Sequence, residues 1–289
     1  PVIEGIRTVD SDNNGWLDAI RINFSEPVND STIQSAIVNS FTITAEFNSD
    51  GERQNMTGLV NLTSTYGGDI ANNNYIMLNF SESVVEINTS GAMRVNYTTA
   101  PGGLCDFASD INDQPSCMGT NTSNTLAEDR AAPVIMNGLT YNLSASSNDS
   151  TIDYINLTLS ERVTAGTTAS SAFSLSVNTV NGSGIGNVLV LTTNNVTIAS
   201  IGANVTIGLN GLVVGTGNVT LNFSVVAGAS INDSNGNTMI AKQGILIRDN
   251  IKPVLYQADY LDNDSNGWTD SVRLNFTEPM DFSTFNSAV

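Results

Sequence analysis

The sequence predicts an all-β chain: antiparallel β-sandwich domains in tandem. Three observations predict it. First, the opening stretch returns near the end. Laying Pro253 on Pro1 without a gap gives roughly 17 identities over about 37 positions, the mark of a repeat protein. Second, apolar and polar residues alternate in many short runs separated by Asn, Asp, Gly and Ser, as half-buried strands joined by turns require. Third, only 13% of residues are charged, and Asn, Ser, Thr and Gly fill the polar positions, which favours loops and solvated strands over helices.

Repeat 1 (residues 1–131) opens with Pro1-Val2-Ile3 as a strand. An acidic turn follows, Asp10-Ser11-Asp12-Asn13-Asn14-Gly15-Trp16-Leu17-Asp18. Oxygen-bearing side chains stand at loop positions one, three, five and nine, and Gly at six. That is the front half of an EF-hand-type calcium loop, in which the residue after the glycine offers its carbonyl. The ligand set read here is Asp10, Asp12, Asn14, Asp18 and the Trp16 carbonyl. Arg21 occupies position twelve, where an EF-hand has its bidentate Glu, so further ligands would come from elsewhere. Three carboxylates in nine residues repel unless neutralised; the alternative is an Asx-rich turn without an ion.

Ala19–Phe24 alternates as the next strand. Asn29–Ile37 reads as a short capped helix, with Ile33, Ala36 and Ile37 on one face. Strands are expected at Phe41–Ala45, Leu59–Thr65, Tyr75–Phe80, Arg94–Thr98 and near Leu126. Cys105 and Cys117 lie in the loop before the last of these. In an oxidising compartment their bridge would contribute about 3 kcal/mol; a reduced buried pair is the alternative.

Repeat 2 (132–251) restarts at Ala132-Pro133-Val134-Ile135, with strands at Tyr154–Leu159, Phe173–Val177, Val188–Thr192, Val196–Ile201, Val205–Leu209, Val219–Val225 and Ile245–Asp249. Ser160-Glu161-Arg162-Val163 matches Ser25-Glu26-Pro27-Val28. In that register Ala145, Ser147 and Ser150 replace Asp10, Asp12 and Gly15, so the 145–153 loop should hold no cation. Repeat 3 (252–289) restores the loop as Asp262, Asp264, Asn266, Trp268 and Asp270. Two strands and a helical turn cannot bury a core alone, so the natural chain is expected to continue past Val289; the alternative is that a neighbouring subunit supplies the missing strands. The joints at Asp129-Arg130-Ala131 and Asp249-Asn250-Ile251 are nearly linkerless, which predicts a stiff rod.

The net charge of −18 repels nucleic acid and suits divalent cations. The chain has no histidine, which removes every His-based triad, general base and zinc site. No apolar run approaches the roughly 20 residues of a membrane span. Nineteen Asn-X-Ser/Thr sequons are present, against about eight expected at random for this composition, and the motif marks secreted surfaces. The glycan sites expected are Asn23, Asn29, Asn55, Asn61, Asn79, Asn88, Asn96, Asn121, Asn142, Asn148, Asn156, Asn181, Asn195, Asn204, Asn218, Asn222, Asn232 and Asn275; Asn263, inside the acidic loop, is expected bare.

The running order resembles the Ig-like (SbsA-type) repeat of S-layer and other cell-surface proteins. The matching features are Pro1-Val2-Ile3, Phe24 to Val28, the Ser/Thr-rich stretch after Asn29, and the late turn Asp233-Ser234-Asn235-Gly236-Asn237. Repeat 1 departs at the late turn, where Cys117 intervenes, and repeat 2 has Arg162 in place of proline. The resemblance implies tandem Ig-like sandwiches, and the sequon load is most like an archaeal S-layer glycoprotein. The function expected is a structural, extracellular cell-surface subunit, calcium-rigidified and N-glycosylated, partnered by copies of itself in a lattice. A filament subunit, or an adhesin or carbohydrate-binding surface protein, is the alternative. No enzyme is expected: the spacing of Glu26, Asp106 and Glu161 points to no carboxylate pair for glycoside hydrolysis.

Overall fold

The structure, a computed structural model, describes residues 1–32, 40–47, 52–55, 60–62, 71–80, 87–99, 103–107, 114–142, 151–165, 169–177, 187–190, 197–214, 219–226, 229–277, 280–281 and 283. The chain is all-β, with small antiparallel sheets. It divides into two compact units. Unit 1 comprises Pro1–Val134, Ser160–Arg162 and Asn232–Met239; unit 2 comprises Ile135–Leu159, Val163–Ile231 and Ile240–Val289. These compact units do not follow the repeat boundaries at 131 and 251.

Unit 1 contains β1 (Ile3–Val9), β2 (Ala19–Phe24), β3 (Phe41–Phe47), β4 (Glu52–Asn55), β5 (Val60–Leu62), β6 (Tyr75–Phe80), β7 (Ala92–Tyr97) and β8 (Asn121–Leu126). They form two four-stranded sheets, ordered β1-β2-β6-β5 and β4-β3-β7-β8. Period-two alternation decides what goes inside: Ile20, Ile22 and Phe24 of β2 are fully buried, whereas Arg21 and Asn23 between them are not. These residues share one core with Ile76 and Leu78 of β6, Phe41 and Ile43 of β3, and Val95 and Tyr97 of β7. The two sheets therefore close on each other through their apolar faces.

Unit 2 contains β9 (Ile135–Tyr141), β10 (Thr151–Leu159), β11 (Thr164–Ala165), β12 (Phe173–Val177), β13 (Asn187–Val190), β14 (Thr197–Ile201), β15 (Asn204–Val214), β16 (Val219–Phe223), the first residue of the two-residue β17 (Ile231–Asn232) and β18 (Lys242–Ile247). Its sheets run β14-β15-β10-β9 and β13-β12-β16-β18. The hairpin β19 (Leu255–Leu261) with β20 (Ser271–Phe276) exposes Tyr256, Tyr260, Val272 and Leu274.

The repeat is legible in the bonding as well as in the letters. Phe41 faces Tyr97 across β3/β7 with ring centroids 4.9 Å apart, and Phe173 faces Phe223 across β12/β16 at 5.0 Å, both tilted by about 50°. Each Pro-Val opening is clasped by a strand-end hydroxyl. Val2, Val134 and Val254 donate their N–H to the side-chain oxygen of Ser25, Ser160 and Thr277, and accept from those residues' N–H at 2.9 Å in every case. This clasp corrects the expected strand starts. The strands begin at Ile3, Ile135 and Leu255, because the preceding proline has no N–H to place in a ladder and the valine's polar groups are already committed.

A second latch occurs twice. The buried Thr8 hydroxyl donates to Asp129 Oδ1 (3.3 Å) and accepts from Arg130 N–H (3.1 Å); Thr140 does the same with Asp249 (3.3 Å) and Asn250 (3.1 Å). Of the expected helix, a 3-10 turn at Asp30–Thr32 is described, with the Asn29 side chain accepting from Ser31; residues 33–39 lie outside the described residues. Among the described residues no helix is long and apolar enough to cross a membrane.

Cys105 and Cys117 are disulfide-bonded, as expected. The loop they close is tied inward: Leu104 N–H donates to the Tyr97 hydroxyl (3.2 Å), Cys105 N–H to Thr32 Oγ1 (3.2 Å), and Asn29 N–H to the Cys105 carbonyl (2.8 Å).

Candidate metal centres

Both acidic loops fold as the sequence spacing dictates. In the first, Asp10 accepts from Asn14 N–H (3.2 Å) and Gly15 N–H (2.9 Å), and Asp12 accepts from Asn14 N–H (3.1 Å) and its side-chain amide (3.0 Å). Asn14 Oδ1 takes the Trp16 N–H (2.9 Å), and Asp18 accepts from the N–H and hydroxyl of Ser11. The second loop repeats the backbone bonds, while the Asn263 side chain turns to Ser271 where Ser11 bonds Asp18. Asn266 and Gly267 donate to Asp262 at 3.1 and 2.8 Å, Asn266 to Asp264, Trp268 to Asn266, and Asn263 to Asp270 at 2.7 Å. The left-handed turns fall on Asn13 and Gly15, and on Ser265 and Gly267. Glycine at loop position six is the residue for which that conformation carries no steric penalty.

Three carboxylates converge in each loop: Asp10, Asp12 and Asp18, then Asp262, Asp264 and Asp270, with one oxygen of each within 4.8 Å of the others. Either group could hold a metal ion. Their settings differ. Burial raises the Asp10 carboxyl above its usual range, against hydrogen bonds from Gly15, Asn13 and Asn14, and the neighbouring Asp18 charge adds to the rise. Asp262 is exposed, so the Gly267 N–H dominates and lowers its pKa. Trp16 is half-buried, and Trp268 is 77% exposed. Arg21, at the position of the missing twelfth ligand, turns away: its guanidinium stacks over Tyr75 at 3.7 Å and its Nε donates to Asn23. The corresponding stretch of repeat 2, residues 143–150, lies outside the described residues; Asp153 is in β10.

A third carboxylate group was not foreseen. Asp129, Glu161 and Asp233, all within unit 1, bring one oxygen each within 4.8 Å of one another. Asp129 follows β8 and is held by Thr8, Ala131 N–H and the Asn235 side chain. Asp233 opens the late turn and accepts from Asn235 N–H (2.8 Å), Asn237 N–H (2.7 Å) and the Asn237 side-chain amide (2.7 Å), with Gly236 left-handed. Glu161 lies two residues past the end of β10, at 4% exposure. Burial pushes its carboxyl up to about 8. A hydrogen bond with Thr89 opposes the rise, and the Asp129 and Asp233 charges and a side-chain hydrogen bond with Asp233 add to it. The signal for this group was in the repeat itself: Ser-Glu ends the strands at 26 and 161, and Asp closes the joints at 129 and 249. Taken singly, the three carboxylates mark only a joint, a strand end and a turn.

The sequon asparagines on strands occupy the outer, partly exposed positions, as at Asn23, Asn96, Asn156, Asn222 and Asn275; Asn204 is exposed. Asn29, Asn88, Asn121, Asn142 and Asn232 are also partly exposed. Asn79 is the correction. It lies in β6, whose outer face is also covered, and at 8% exposure it has no room for a sugar. The side chains of Asn55 and Asn61, and residues Asn148, Asn181, Asn195 and Asn218, lie outside the described residues. No protein-family model matches the chain, and no curated protein matches it.

Proposed function

We propose that the chain is a structural protein of the cell surface: a calcium-stiffened, N-glycosylated S-layer subunit built of tandem Ig-like sandwiches, assembling with copies of itself. The observation that carries this reading is the acidic loop built twice with the same backbone hydrogen bonds, on a chain in which Asn23, Asn96, Asn156, Asn204, Asn222 and Asn275 stand at exposed or partly exposed strand positions. Calcium takes six to eight oxygens in flexible geometry, and each loop offers three carboxylates, an asparagine amide and a tryptophan carbonyl. Nothing in this reading needs turnover; the ion neutralises a repulsive loop and fixes the two strands it joins.

Two measurements test it. The intact mass of the native protein should fall on deglycosylation, with peptides carrying Asn156, Asn204 and Asn222 modified; a native mass equal to that of the bare chain would remove the glycoprotein reading. In calorimetry, chelation should lower the melting temperature of unit 1, since an ion bound only to the folded state at 100 times its Kd adds about 2.7 kcal/mol. The Asp10→Ala, Asp12→Ala variant should lose the part of that response that the first loop supplies. A variant that keeps the full calcium shift would show that the first loop is an Asx turn and no more.

A further inference from the structure

We infer that Asp129, Glu161 and Asp233 form a third, buried site for a hard divalent cation of the calcium class, distinct from the two acidic loops. The three carboxylates come from segments far apart in sequence, yet one oxygen of each lies within 4.8 Å of the others. Two oxygens bound to one calcium at 2.3–2.6 Å can be no more than about 5 Å apart, so the group has the span of a coordination shell.

The second observation is independent of that clustering. Glu161 is 4% exposed, and its Oε1 is buried without any hydrogen-bond partner among the described residues. A buried carboxylate oxygen left unpaired is costly and calls for a counter-charge. The protein does not supply one. Arg130, beside Asp129 in the chain, directs its guanidinium to Glu128 at 2.6 Å, and Arg162, beside Glu161, is exposed. Among the described residues no lysine or arginine pairs with any of the three. Asp129 and Asp233 are meanwhile held from behind by Thr8, Asn235 and Asn237, the outer-shell arrangement that orients metal-ligating carboxylates. The donor set is all oxygen, on a chain with no histidine and both cysteines bridged, which favours a hard cation over zinc.

The inference does not rest on the loops, and the test separates the two. Calcium is counted by equilibrium dialysis on the whole chain carrying Asp10→Asn, Asp12→Asn, Asp262→Asn and Asp264→Asn. One ion per chain should remain, and adding Glu161→Gln should abolish it. Glu161→Gln in the otherwise native chain serves as the second variant, and its stoichiometry should drop by one. The effect of the substitution on stability should also depend on the ion: the variant should be at least as stable as the parent in chelator, because a buried carboxyl crowded by Asp129 and Asp233 is gone, and less stable than the parent in calcium. A loop-deficient chain that binds no calcium while folded, or Glu161→Gln retaining the parent's stoichiometry, would overturn the site and leave a proton shared among the carboxyls.

Discussion

Tyr97→Ala should destabilise unit 1 by about 3–5 kcal/mol, the range for removing a large aromatic side chain from a packed core. Tyr97 is fully buried, tilts against Phe41, and its hydroxyl receives the Leu104 N–H at 3.2 Å. Truncation therefore opens a cavity and also strands a donor in a dry site. Tyr97→Phe separates the two effects: it keeps the ring and should cost about 1–3 kcal/mol for the unpaired N–H. Phe223, the corresponding ring of unit 2, carries no hydroxyl, so Phe223→Ala reports the cavity alone. Denaturant midpoints with unchanged slopes measure all three. A Tyr97→Phe variant as stable as the parent would show that Leu104 does not depend on this bond.

The second large effect is expected at the disulfide. Replacing Cys105 and Cys117 by serine together should cost about 2–4 kcal/mol, by freeing a loop in the unfolded chain. The loss should be coupled to the first. Leu104 precedes Cys105, and its N–H reaches Tyr97 only while the loop is held against Thr32 and Asn29. The double removal of bridge and Tyr97 hydroxyl should therefore cost less than the sum of the two. Strict additivity in a double-mutant cycle would separate the bridge from the core, and two free thiols in freshly isolated protein would remove the bridge altogether.

The strands were legible because one side of each is buried, so Ile20-Arg21-Ile22-Asn23-Phe24 writes its own orientation. The acidic loops were legible because the three carboxylates of each lie within nine consecutive residues. The carboxylates at 129, 161 and 233 were not, because only tertiary structure brings them together and a single sequence contains no distances. The strand starts were misplaced by two residues for a local reason. Pro-Val looks extended, and is, but its polar groups go to a hydroxyl clasp that alternation does not encode. Asn79 misled for the opposite reason: β6 is covered on both faces, so a polar letter at an outward position was not an exposed one.

Unit 1 includes Ser160–Arg162 and Asn232–Met239. A chain emerging in order from the ribosome has made all of β1 to β8 by the time Val134 appears, yet the last part of unit 1 arrives roughly a hundred residues later. At 5–20 residues per second that is a wait of about 5–20 s, far longer than sheets take to form. Early in that interval Asp129 is present without Glu161 or Asp233, and for the rest of it Asp129 and Glu161 wait for Asp233. The first unit begun is thus left incomplete while most of the second is made, and its carboxylate group is assembled only when the late turn is in place.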